Sequence, residues 1–150
     1  MTAITLHNLR CFAFQGAGTY LGAILHRITA PLLEGLQIDF FNQLTFSVPR
    51  LLQFVSTTGN ITFKCARFEF GDEDIVVKVY HHEQAKRYAL SITVDCYHDR
   101  QVSSVAQISS SVRPTFSGVE HLTLGHSVHS QLSEEHNEAD PTYWHKIQVI

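Results

Sequence analysis

Apolar and polar positions along this chain fall into two textures, one strand-like and one helical. In LRCFAF, Leu9, Phe12 and Phe14 follow an L-x-x-L-x-L spacing. Leu33, Leu36 and Ile38 in LLEGLQI repeat it 24 positions on, counting from Phe12 to Leu36, and Val119, Leu122 and Leu124 in VEHLTL show it again. Between them, Leu90, Ile92 and Val94 in ALSITVDC alternate with polar neighbours, the signature of a half-buried strand.

The residues between these runs change period. Beyond Gly18-Thr19, Leu21, Ile24, Leu25 and Ile28 recur as one helical face, with Pro31 past its end. Pro49 opens a second short helix carrying Leu51, Leu52 and Val55, which Gly59-Asn60 closes. A third is predicted over about 103–112, with Val105, Ile108 and Val112 on one side and Pro114 following. Strand and helix therefore alternate, and a step of 24 residues lies in the roughly 20–29-residue range of leucine-rich repeats. Units this small cannot bury their own apolar faces, so they are expected to stack.

The middle of the chain departs from that period. Cys65, Phe68 and Phe70 precede a GDED turn at Gly71–Asp74, and Ile75, Val77 and Val79 follow it, a hairpin pattern. A second polar turn is expected over 81–87. The expected fold is thus α/β: a leucine-rich-repeat-like solenoid of about four strand–helix units in one domain spanning 1–150. A strand-rich insertion over about 64–88 and a polar acidic and histidine-rich loop over about 126–141 would interrupt it.

Composition narrows the function. With 44% hydrophobic and 17% charged residues the chain has the make-up of a globular domain. The net charge of −3 and scattered basic residues, adjacent only at Lys86-Arg87, give no footprint for nucleic acid. Three widely spaced cysteines, Cys11, Cys65 and Cys96, point to neither a disulfide framework nor a zinc knuckle. MTAITLHNLRCFAFQ does not read as a secretory leader, and no apolar run has the length of a membrane span. The expected compartment is reducing, cytoplasmic or nuclear, with no membrane partner.

At the level of whole segments, YLGAILHRITAPLLEGLQIDFFNQLTFSVPRLLQFVSTT resembles the leucine-rich-repeat region of the F-box-like protein family of mushroom-forming fungi. ARFEFGDEDIVVKV, LSITVDCYHDRQVSSVAQISSS and FSGVEHLTL resemble it in the same order, so the likeness runs from about Leu6 to Leu124. The resemblance implies the substrate-receptor arm of a ubiquitin ligase. In that family an N-terminal F-box grips the ligase adaptor and the repeats hold the target protein. No F-box-like segment precedes the first rung, and PTYWHKIQVI begins like the family's next helix around Trp144 and then stops. The chain is therefore expected to be a fragment, reaching an adaptor only if an F-box lies upstream.

Candidate chemistry is sparse. His121, His126, His129, His136 and His145 sit among Glu120, Glu134, Glu135, Glu138 and Asp140, a mixture able to ligate a borderline metal. The run lacks a helical or strand period and reads as a solvated loop, with metal and cofactor both expected absent. No G-x-S-x-G, H-E-x-x-H or phosphate-cradling glycine loop is present, so no catalytic residue is assigned. If the strands stack, their outward positions form a polar face. From it Gln15, Gln37, Asp39, Thr93, Asp95, His121 and Thr123 are the candidate partner-binding residues. The expected function is a non-catalytic protein-interaction module with an unknown protein target. The alternative is a small stand-alone β-rich domain binding a sugar or metal through its histidine and acidic loop.

Overall fold

The computed structural model describes residues 4–41, 49–58 and 63–126. Along these run β1 (Ile4–Thr5), β2 (Cys11–Gly16), α1 (Gly18–Leu25), β3 (Ile28–Thr29), β4 (Gly35–Phe40) and α2 (Pro49–Thr57). They continue with β5 (Cys65–Phe70), β6 (Asp74–Tyr80), β7 (Leu90–Asp95), α3 (His98–Ser111), α4 (Arg113–Phe116) and β8 (His121–His126).

Period-two alternation sends one half of each strand to a common core. Leu36, Ile38 and Phe40 of β4, Leu90, Ile92 and Val94 of β7, and Ile75, Val77 and Val79 of β6 are all buried. The register stacks them in rows. One runs Phe14, Ile38, Ile92, Val77, Phe68, Leu124 across six strands. The helices cover this face: Leu21 and Leu25 from α1, Leu51, Phe54 and Val55 from α2, and Ile108 from α3 join the same cluster. Each fully buried aliphatic side chain contributes about 1.5–3 kcal/mol, so the middle strands dominate stability.

The six strands form one mixed sheet in the order β2-β4-β7-β6-β5-β8, and β1 and β3 pair separately as a two-stranded sheet. This corrects the solenoid expectation. In a solenoid each strand lies beside the strands before and after it in sequence, and here that holds only for part of the chain. The 24-residue step survives as the register of β2 on β4, Phe12 opposite Leu36, and of β1 on β3, Ile4 opposite Ile28. Beyond β4 it ends, because the next neighbour in space is β7 rather than β5.

The cause is a pair of tight reversals. Gly71 N–H donates to the Asp74 carbonyl at 2.9 Å and folds β6 back on β5. A Cβ at Gly71 would sit 1.9 Å from Asp74 Oδ1, so a larger residue there would have to turn the Asp74 carboxylate aside. The segment 81–89 then returns β7 antiparallel to β6. The hairpin expected as an excursion therefore lies in the middle of the sheet, and it separates β7 from β8.

Two further differences are local. Ile28, expected on the first helix, sits in β3, because α1 ends at Leu25. The third helix begins at His98 rather than Ser103, with Asp99 in its first turn where a carboxylate favours the helix dipole. The closing pair Gly59-Asn60 and most of the loop over 126–141 lie outside the described residues. Among the described residues, no helix is long and apolar enough to cross a membrane.

Candidate functional site

The face opposite the helices is built by the other half of the alternation. Its two central rows are Ala13, Gln37, Ser91, Lys78, Arg67, Thr123 and Gln15, Asp39, Thr93, Val76, Glu69, Gly125. Neighbouring strands lie about 4.8 Å apart, so each six-residue row is a track of roughly 24 Å, and five of the twelve side chains in the two rows carry hydroxyls or amides. This face is a surface rather than a cavity.

Of the residues chosen from sequence, Gln15, Asp39 and Thr93 share one row on adjacent strands. Gln37 lies in the other row, diagonal to them, with its Nε2 donating to Asp39 Oδ2 at 3.1 Å. Thr123 is in Gln37's row but four strands away, across Ser91, Lys78 and Arg67. Asp95 lies opposite Asp74 at one end of the face, and His121 opposite Cys65 at the other. The structure thus gathers Gln15, Gln37, Asp39 and Thr93 and leaves Asp95, His121 and Thr123 apart.

What fills the gap comes from the hairpin. Lys78 Nζ donates to Glu69 Oε2 at 2.8 Å, and Arg67 stands 3.7 Å from Glu69 Oε1. One carboxylate between two cations leaves the centre of the face net positive. Its flank at Asp39, Asp95 and Asp74 is acidic. Tyr88, on the returning segment, donates its hydroxyl to Gln37 Oε1 at 2.8 Å and pins that amide. Beneath it, Gly35 approaches the Tyr88 carbonyl, with 3.9 Å left for a Cβ. Sequence reasoning missed Arg67, Glu69, Val76, Lys78 and Tyr88. The signal was present, since all but Tyr88 alternate with Phe68, Ile75, Val77 and Val79, but it was read as belonging to an insertion.

The chemistry available elsewhere is limited. Burial pushes the Cys65 thiol up, helped by Glu83 and Glu120. Burial also raises Cys96, against a lowering hydrogen bond with Ser104 and with Asp74, Asp95 and Asp99 adding to the rise. Raised thiols hold little nucleophilic thiolate at neutral pH. Among the described residues, no group of three or more His, Cys, Asp or Glu is placed to hold a metal ion. A depression of about 170 Å³ lies between the small sheet and α2, rimmed by Thr5, Thr29, Thr57 and Thr58. Its hydroxyls are engaged within the protein: Thr29 donates to Thr5 at 3.0 Å, and Thr57 to the Phe54 carbonyl at 2.9 Å.

No protein-family model matches the chain, no curated protein matches it, and no solved structure matches its fold. The sheet face must speak for itself.

Proposed function

We propose that this chain is a non-catalytic protein-interaction module and that the polar face of its six-stranded sheet holds a protein target, as the target-recognition part of F-box proteins does. The observation that carries the reading is the continuity of that face. Two unbroken rows cross all six strands, and their side chains present amides, hydroxyls and a compact charge set on a rigid support. Rigid placement matters because binding then orders few side chains, which lowers the entropic cost of association. A target that fits would set a carboxylate against Arg67 and Lys78 and a basic or amide group against Asp39. A ligase adaptor enters the proposal only through an F-box upstream, and the compartment it implies is cytoplasm or nucleus.

The test is a comparative capture from extract of the organism that carries the gene. The baits are the unaltered chain, a face variant combining Gln37→Arg, Thr93→Arg and Thr123→Arg, and a control with Val102→Lys and Ala106→Lys on the exposed side of α3. With all three folded by circular dichroism, the expected result is that proteins held by the unaltered chain and the control are lost from the face variant. Identical captures from all three would overturn the reading.

A further inference from the structure

We propose that the outer edge of β8 is an interface for a second copy of this chain, which pairs antiparallel across a twofold axis at Thr123. The argument starts from the backbone. His121 N–H donates to the Lys64 carbonyl at 3.2 Å, so the N–H and C=O groups of His121, Thr123 and Gly125 turn inward to β5. Those of Leu122, Leu124 and His126 therefore turn outward, because both groups of a strand residue point to the same side and alternate along the strand. Among the described residues, no strand lies beyond β8 in the sheet order.

Within the strand itself, the side chains that usually protect such an edge are missing. The strand reads HLTLGH, with no Lys, Arg, Asp, Glu or Pro, which are the residues that ordinarily blunt an exposed edge. Leu122 is 43% exposed and Leu124 half-buried, on the side that elsewhere forms the core. An apolar row that is fully covered at β7 and β6 is thus left unfinished here.

A second copy completes it, because the strand is self-complementary about Thr123. A twofold axis there sets Leu122 against Leu124 of the other copy, twice, and these are the residues whose backbone groups face outward. Four backbone hydrogen bonds and a four-leucine contact result. The same register sets His121 against Gly125, where there is room for the imidazole, and Glu120 against His126. The Glu120 carboxylate uses Oε1 for Lys64, and its second oxygen is able to accept from the His126 imidazole. Shifting the register by one residue opposes the leucines to threonine, glycine or histidine and loses each of these matches. The pairing joins two polar faces into one sheet, so a target with two copies of its epitope would be bound with avidity. The inference itself does not depend on the proposed function.

Sedimentation of the full chain, followed over a range of concentrations, reads the result directly. The expected species is a closed dimer of twice 17.0 kDa, weakened on the order of tenfold or more by Leu124→Lys. Because that variant loses apolar packing as well, a covalent test accompanies it. In a Cys11→Ser background, Thr123→Cys should form an intermolecular disulfide on mild oxidation, since residues on the axis oppose themselves at roughly 4.5–5.5 Å between Cα atoms. Gly125→Cys, opposite His121, should not. A monomer at every concentration would overturn the proposal, and would mean the edge is bare or covered by residues 127–150. Open-ended growth with concentration, as from β8 joining β2 of another copy, would also overturn it, as would a dimer that Thr123→Cys fails to cross-link.

Discussion

Two parallel strand pairs, β2–β4 and β5–β8, begin in the same way and are reached by different routes. The Arg10 carbonyl accepts from the consecutive N–H groups of Glu34 and Gly35, at 2.7 and 3.1 Å, and the Arg10 side chain pairs with Glu34. The Lys64 carbonyl accepts from Glu120 and His121, at 2.8 and 3.2 Å, and Lys64 pairs with Glu120. The local start is shared, but the first pair closes over 24 residues, with one helix and the short strand β3 between, and the second over 56 residues, with two strands and two helices between. The lesson is that strand starts follow local chemistry. Strand order follows from where the chain reverses, and the two reversals at 71–74 and 81–89 set it.

The strongest way to break this comparison is to insert a charge at equivalent core positions in the two halves. Ile92→Asp in β7 and Val77→Asp in β6 should each cost more than about 4 kcal/mol and unfold the chain in a urea titration, because each buries an unpaired carboxylate. Thr93→Lys, one residue along and opposite Asp39, should stay within about 1 kcal/mol of the unaltered chain. If Val77→Asp left the rest folded, the hairpin would be an excursion rather than the middle of the sheet.

Truncation sharpens the contrast between centre and edge. Ile75→Ala, at a site with no exposure, should cost about 2–5 kcal/mol, and Leu122→Ala on β8 under about 1 kcal/mol. A smaller effect follows for Gln101, whose buried Nε2 donates to the Gly71 carbonyl at 2.7 Å and the Asp74 carbonyl at 3.1 Å, tying α3 to the hairpin turn. Gln101→Leu should cost about 1–3 kcal/mol and speed amide exchange at Gly71 before anywhere in β2 or β4.

The thiols give a pH signature. Cys65 and Cys96 are raised in the native state, so their contribution is complete below the ordinary thiol pKa and is lost as pH rises through the native values. The urea midpoint should therefore fall at alkaline pH, and Cys65→Ala with Cys96→Ala should flatten that fall. Exposed Cys11 should be alkylated first at neutral pH. The least effect belongs to the strand-start pairs. Lys64 holds Glu120 below its ordinary value through a hydrogen bond and its charge, so this contribution is present above the usual carboxylate pKa and fades as pH falls through the native one. Both partners are solvent-exposed, and Glu120→Gln and Glu34→Gln should leave the neutral-pH midpoint almost unchanged.

The elements were largely legible in the sequence, and their arrangement was not. Alternation at Leu36, Ile38 and Phe40, or at Ile75, Val77 and Val79, is a local property that any strand with one buried face must show. The 24-residue step was also real, but it describes neighbours only between β2 and β4 and between β1 and β3. Nothing local in GDED or in 81–87 says that the hairpin will lie between β7 and β8 instead of looping out. The make-up of the polar face was legible to the same extent. Gln15, Gln37, Asp39 and Thr93 lie together because their strands are parallel and adjacent, whereas Arg67, Glu69 and Lys78, which share the face, were not chosen because they lie on strands set aside as an insertion.

The central claim is that β6 runs antiparallel between β7 and β5, making one sheet with one continuous polar face. Nuclear Overhauser spectroscopy on the labelled chain tests it most directly. The account predicts Hα–Hα cross-peaks between Val76 and Thr93 and between Lys78 and Ser91, pairs set opposite each other by the register. Absence of both, with contacts from β7 to β8 in their place, would contradict it.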